Sequence, residues 1–120
     1  MNLIGKFVIL RSRENGVVCG YLISLVPQPG GLFAAEVEEC RILHHWQQNN
    51  ENFTIFEVSV HGVRAPATAR ISEAVDYHQI GGVCGVTPCT EKAIKNLRQS
   101  RWNKPYENST STPVTGRKLG

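Results

Sequence analysis

The stretch CRILHHW, residues 40–46, sets a thiol, a guanidinium, two imidazoles and an indole within seven positions. Such groups serve metal ligation, catalysis or the gripping of a ligand. On a strand, the adjacent His44 and His45 point to opposite faces, and His44 shares a face with the evenly spaced Cys40. One such pair is no zinc site, because zinc takes a tetrahedral ligand set and the chain offers no second closely spaced pair. No metal is expected. Nucleophilic catalysis needs an activating base and an orienting group. Cys40, Cys84 and Cys89 are candidate nucleophiles, yet no nucleophile elbow or catalytic-cysteine signature surrounds them. The glycine-rich GGVCG at 81–85 lacks both the Walker lysine and the spacing of a dinucleotide loop. No catalytic residue is assigned.

Ligand gripping asks less of the residues. Trp46 and the imidazoles can stack on a nucleobase, which contributes about 1–3 kcal/mol per base. Arg41 can form bidentate bonds to phosphate. A second set, Arg70, Arg98 and Arg101, suits a pyrophosphate if the fold brings it to the same cleft. The alternative is that Trp46 is core and the arginines are a solvated face. Pattern alone leaves both open.

The elements that must position these groups read as a sheet followed by a helix. KFVILRSR (6–13) and VVCGYLISLV (17–26) are β-branched runs flanking Glu14-Asn15-Gly16, and Asn-Gly is a strong hairpin signal. Gly20 within the second run suggests a bulge or a close backbone approach. After the turn PQPGG, the segment LFAAEVEECRILHHW predicts one or two strands, with Glu38-Glu39 as the break. FTIFEVSVHG (53–62) fits both periods: Phe56, Val58 and Val60 alternate as in a strand, whereas a helical stripe closed by Gly62 is also acceptable. Propensity favours strand. VRAPATA is a loop, RISEAVDYHQI (70–80) another strand, and GGVCGV an apolar segment where the sheet resumes. TPCTEKAIKNLRQ is a helix, with Thr90 as N-cap and Ala93, Ile94 and Leu97 on one face.

A length of 120 residues with 41% hydrophobic residues fits one domain. The domain is expected over 1–102, followed by a polar tail at 103–120 rich in Ser, Thr and Pro. The four cysteines lack the dense spacing of a disulfide scaffold and are expected reduced and mostly buried. No apolar run is long enough for a membrane span, and the first residues lack the succession of a signal peptide, so a cytoplasmic location is expected. The formal charge of +3 includes Arg117 and Lys118 in the tail. A nearly neutral body remains, too weak a field for duplex nucleic acid.

Read end to end, the chain resembles the first-described Thoeris anti-defence family of phage proteins, small sponges that sequester cyclic ADP-ribose signals. GKFVILRSRENGVVCGYL (5–22) looks like that family's opening hairpin. Arg41, Ile42, Leu43 and Trp46 match its arginine, apolar pair and closing tryptophan. FEVSVHG (56–62) stands at its short helix closed by glycine and is followed by Pro66. ISEAVDYHQIGGVCGVTPCTEKAIKNL (71–97) resembles its last strand and proline–threonine-capped helix. His44 and His45 depart from the aromatic residues usual at that place, which bears on ligand choice.

The resemblance implies an α+β fold, a small, strongly curved antiparallel sheet with two short helices, and so turns 53–61 from strand to helix. It implies binding without turnover, in the cytoplasm of an infected bacterium, by a homodimer assembling to a hexamer. A cyclic ADP-ribose isomer would sit near a dimer interface, and some members also hold cyclic oligonucleotides. The residues placed at such a ligand are Arg98 and Arg101 on phosphate, Ile71 and Trp46 on base or wall, and Arg41 with His44 or His45 at the rim. No cofactor, metal, membrane or duplex nucleic acid is expected. Competing readings are a small nucleotide hydrolase with a histidine base, and a β-domain that binds protein or single-stranded nucleic acid.

Overall fold

The computed structural model describes residues 2–46, 54–63 and 69–99. The first hairpin forms as the sequence predicts: β1 (Phe7–Ser12) pairs antiparallel with β2 (Gly16–Pro27). Gly16 closes the turn at φ 80°, and the Ser12 hydroxyl accepts from Glu14 N at 3.2 Å and Asn15 N at 3.0 Å. β3 runs unbroken from Phe33 to His45. Glu38-Glu39 does not end it. Glu39 instead adopts φ 52°, and the β2–β3 register slips between Cys19↔Arg41 and Tyr21↔Glu38. An extra residue in one strand makes a bulge, which keeps the ladder bonded on both sides of the irregularity. Its consequence is a change of face: Val37 and Cys40 both point into the same core cluster.

The strand predicted at 70–80 is divided. β4 is the short Arg70–Ile71, which pairs with the end of β3, and β5 runs from Val75 to Pro88. The Gly81-Gly82 segment lies within β5, at a register shift where Val83 faces Phe33 but Ile80 faces Ala35. Gly82 has φ 65°, and the Ser12 hydroxyl donates to Gly81 O at 2.7 Å. These glycines form the corner at which β5 leaves β3 and joins β1. The antiparallel sheet has the order β2-β1-β5-β3-β4, and β2 also pairs with β3. The four longer strands therefore close into a ring, which removes the edges an open sheet would expose there.

The ring separates two cores. Val8, Leu10, Val18, Leu22, Val37 and Ile80 fill its interior. Phe7, Ile9, Cys19 and Leu43 point outward and are covered by α1 (Ile55–His61) and α2 (Glu91–Gln99), through Val58 and Leu97. The architecture is α+β, with the helices on one outer face.

α1 forms against the local alternation. Of Phe56, Val58 and Val60, only Val58 is buried, while Phe56 is 65% exposed and Val60 46%. A strand with that set on one face would have buried or exposed all three together. Thr54 and Glu57 make a capping box, with Phe56 N donating to the Thr54 hydroxyl at 3.2 Å and Thr54 N to the Glu57 carboxylate at 2.7 Å. Gly62 ends the helix at φ 81°, and a Cβ there would lie 2.3 Å from Asn96 Cγ. Thr54→Ala is expected to cost about 1 kcal/mol, read in thermal unfolding as a loss of about 4–8 °C.

α2 starts at the predicted cap, where Ala93 N donates to the Thr90 hydroxyl at 3.1 Å. Thr90 N also donates to Ser59 O at 2.9 Å, tying the start of α2 to α1. Asn96 exchanges two bonds with the Val63 backbone, at 2.8 and 3.0 Å. With Ala93 and Leu97 buried, these bonds fix the helix in rotation. Glu91, Lys95 and Arg98 then share its other side by helical spacing.

Candidate ligand cleft

The bulge in β3 builds the site. Gly20 on β2 faces it so closely that an added Cβ would sit 2.5 Å from Val37 Cγ1 and 2.7 Å from Glu38 O. No side chain fits there. The displaced backbone presents Glu39 on the outer face of the ring, 5% exposed. Its carboxylate receives the Arg98 fork in bidentate fashion, Nε at 2.6 Å and Nη2 at 3.1 Å. Arg41 Nη1 donates to the same carboxylate at 3.1 Å, and Arg41 Nη2 to Arg98 O at 3.3 Å. That second bond serves a carbonyl of the last helical turn, which has no partner within the helix.

Burial by itself raises the Glu39 carboxyl, but the bonds and charges of Arg98 and Arg41 outweigh it and hold the group below its ordinary value of 4.5. The sign follows from linkage. A carboxyl lowered in the folded state stabilises the protein fully above its unfolded value, and that contribution is lost as pH falls through the folded one. Stability in urea is therefore expected to drop on acidification below pH 4.5, and to drop less in Glu39→Gln.

Above this ion cluster lies a cleft of 690 Å³, within the roughly 300–1,000 Å³ of small-ligand sites. Tyr21 and Ile94 supply its apolar wall, Lys6, Arg41, Lys95 and Arg98 its cations, and Glu91 one carboxylate. The Arg98 guanidinium stands 5.9 Å from the Tyr21 ring centroid. Phe7 holds that ring edge-on, with centroids 5.0 Å apart and planes at 87°. An aromatic ring and guanidinium groups in one cleft are the chemistry that takes a planar base and a phosphate. A smaller cavity of 340 Å³ lies between Ser24 and Gln79. Its carboxylate, Glu36, is lowered first by the Tyr77 hydroxyl and then by Ser24 and Gln79, so it presents an anion rather than a receptor for one.

The fold brings Arg41 and Arg98 together, as ligand gripping requires. Ile71, Trp46, His44 and Arg70 do not line the same cleft. Ile71 is 1% exposed, packed in the outer core and without a face for a ligand. Trp46 is half-buried against that same core, and exposed His44 and Arg70 lie away from the cleft lining. The side chain of His45 and all of Arg101 lie outside the described residues, as do Pro66, the 47–52 loop and the 103–120 tail. The cleft also holds Tyr21, Lys6 and Lys95, with Glu39 beneath it, none of which the sequence singles out as a ligand group. Lys95 is readable, because it stands three residues before Arg98 on the helix that the sequence predicts. Tyr21 shares a strand face with Cys19 by even spacing, but nothing local says what covers that face.

The thiols do not form a reactive group. Cys40 lies inside the ring, where burial pushes its thiol up to about 11. Burial pushes Cys89 up to about 12, and Cys19 is fully buried. Cys84 is exposed. Cys40 and His44, paired by spacing in the sequence, are separated by burial. Among the described residues, no group of three or more His, Cys, Asp or Glu side chains is placed to hold a metal ion.

Residues 5–97 match the family described as Domain of unknown function (DUF6948). The chain belongs to that family. No curated protein and no solved structure matches it. The DUF6948 match spans Lys6, Tyr21, Glu39, Arg41 and Lys95 and ends one residue before Arg98. No helix among the described residues of this DUF6948 protein is long and apolar enough to cross a membrane.

Proposed function

We propose that this DUF6948 protein is a phage anti-defence sponge, which binds a cyclic ADP-ribose isomer in the Arg41–Arg98 cleft and holds it uncleaved. The observation that carries this reading is the pair of guanidinium groups locked on one buried carboxylate, beside a tyrosine ring, in a cleft of 690 Å³. Such a ligand carries an adenine, two riboses and a pyrophosphate. Tyr21 offers the face for the base, and Arg41, Arg98, Lys6 and Lys95 offer charge for the phosphates. The order of segments that resembles the Thoeris anti-defence family supports the same ligand class.

Retention without turnover is part of the same reading and comes from the resemblance to that sponge family. An oligomer, a homodimer or hexamer in the cytoplasm of the infected host, belongs to the same proposal. Val26, Phe33, Val75 and Tyr77 stand 37–55% exposed, and a second copy would cover such apolar surface.

The test is recovery of ligand. Protein is incubated with a cyclic ADP-ribose isomer, freed of excess, and denatured by heat, and the supernatant is chromatographed. Intact ligand in stoichiometric amount is the expected result. Cleaved ligand supports a hydrolase instead, and absence of bound ligand sinks the proposal.

A further inference from the structure

We infer that Glu39 is the positioning residue of the cleft, a built-in anion that presets both arginines for a phosphate-bearing ligand. This inference rests on the proposed reading of the cleft as a nucleotide site. Arginine side chains are long and lose rotamer freedom when they bind, so a site that has already ordered them binds more tightly. Glu39 does this for both at once. One oxygen accepts from Arg41 Nη1 and Arg98 Nε, and the other from Arg98 Nη2. The carboxylate holds the Nε–Nη2 edge of Arg98 and so turns the rest of the fork away from itself. The Arg98 side chain remains 48% exposed while that of Glu39 is 7% exposed. The anchor is buried and Arg98 faces water, while the Arg41 side chain is 14% exposed.

The protein accepts several local costs to place this one carboxylate. A non-glycine residue sits at φ 52°, a glycine gives up its side chain on the facing strand, and a charged group is taken out of water. Costs of this kind gather at functional sites. A merely solvated pair of arginines needs none of them.

Electrostatics alone and positioning predict opposite results for Glu39→Gln. The substitution removes a negative charge from beneath a cationic cleft, which by Coulomb attraction would tighten binding of any anion. Loss of the anchor weakens it. The variant and the wild-type protein are titrated by calorimetry with inorganic pyrophosphate and with cyclic ADP-ribose. In the ligand-free proteins the Arg98 Nε–Hε signal is followed by nitrogen-15 NMR. The expected result is binding at least about tenfold weaker in Glu39→Gln, with an Arg98 signal that is dispersed and protected from exchange in wild type and averaged in the variant. Glu39→Asp keeps the charge but is one methylene shorter, and it is expected to weaken binding as well. That second variant decides the matter if the glutamine variant does not fold. Equal or tighter binding by either folded variant overturns the role of Glu39 and leaves the cleft standing. Failure of the wild-type protein to bind either probe overturns the reading of the cleft, and the role of Glu39 with it.

Discussion

Arg98→Ala is expected to abolish measurable binding of a cyclic ADP-ribose isomer, a loss of at least about a hundredfold, while the fold persists. The magnitude follows from the chemistry. A charge-assisted hydrogen bond contributes about 1.5–3 kcal/mol, and a guanidinium meeting a pyrophosphate makes two in parallel. The fold is spared because Arg98 is exposed on the last turn of α2, whereas Ala93 and Leu97 on its other side carry the packing. Glu39 keeps Arg41 as a partner, so the stability cost is expected near about 1 kcal/mol rather than that of a stranded buried charge. Calorimetric titration, with circular dichroism as the check on folding, measures both. Arg98→Lys should lie between, because it keeps the charge without the planar fork. Wild-type affinity in the alanine variant would refute the phosphate assignment.

Gly20→Ala should destabilise the protein strongly, although it adds only one methyl group. The new Cβ would lie 2.5 Å from Val37 Cγ1, 2.7 Å from Glu38 O and 3.1 Å from Glu39 O. Two of those atoms are backbone oxygens of the bulge and cannot swing aside as a side-chain end can. Relief requires that β2 and β3 separate or that the bulge rearrange. The expected cost is about 3 kcal/mol, a fall in melting temperature of about 10 °C or more. Ligand binding should weaken in parallel, because the same bulge carries Glu39. Gly85→Ala is the internal control. Its nearest neighbour would be Arg11 Cβ at 3.8 Å, an ordinary contact, and the substitution should be neutral or stabilise by about 0.5 kcal/mol. Similar melting temperatures for Gly20→Ala and Gly85→Ala would contradict the close approach.

These two expectations mark what the sequence makes legible. Local chemistry reads well: Asn15-Gly16 predicts the first hairpin, Thr90 caps α2, and Gly20 announces a close approach. Glu38-Glu39 does not, because two adjacent acids at the centre of an apolar run read as a break. The facing Gly20 and Arg98, both distant in sequence, accompany a bulge there rather than a break, with the neighbouring Arg41 as a second partner of Glu39. α1 is concealed by an alternation that the fold does not use, although Thr54 and Glu57 spell a capping box three residues apart. The ring is not local at all. It depends on β5 pairing with β3 over one half and β1 over the other, with Gly81-Gly82 as the corner.

The cleft divides along the same line. Arg41 and Arg98 are recognisable from their chemistry, since a phosphate-bearing ligand needs such groups. Trp46 and Ile71 attract attention by type or place, yet Ile71 is core and Trp46 packs against it. The ring that faces the cleft is Tyr21, and its partner Phe7 is met only through the β1–β2 register. Side-chain type suggests a ligand class, while the register and the bulge decide which residues line the cleft.

The central claim is that one cleft per chain binds a cyclic ADP-ribose isomer and leaves it intact. Calorimetric titration of the wild-type protein with cyclic ADP-ribose isomers, followed by chromatography of the cell contents, tests it most directly. Saturable binding of at least one isomer is expected, at one site per chain, with the ligand recovered unchanged. No heat of binding with any isomer, or recovery of a cleaved product, would contradict it.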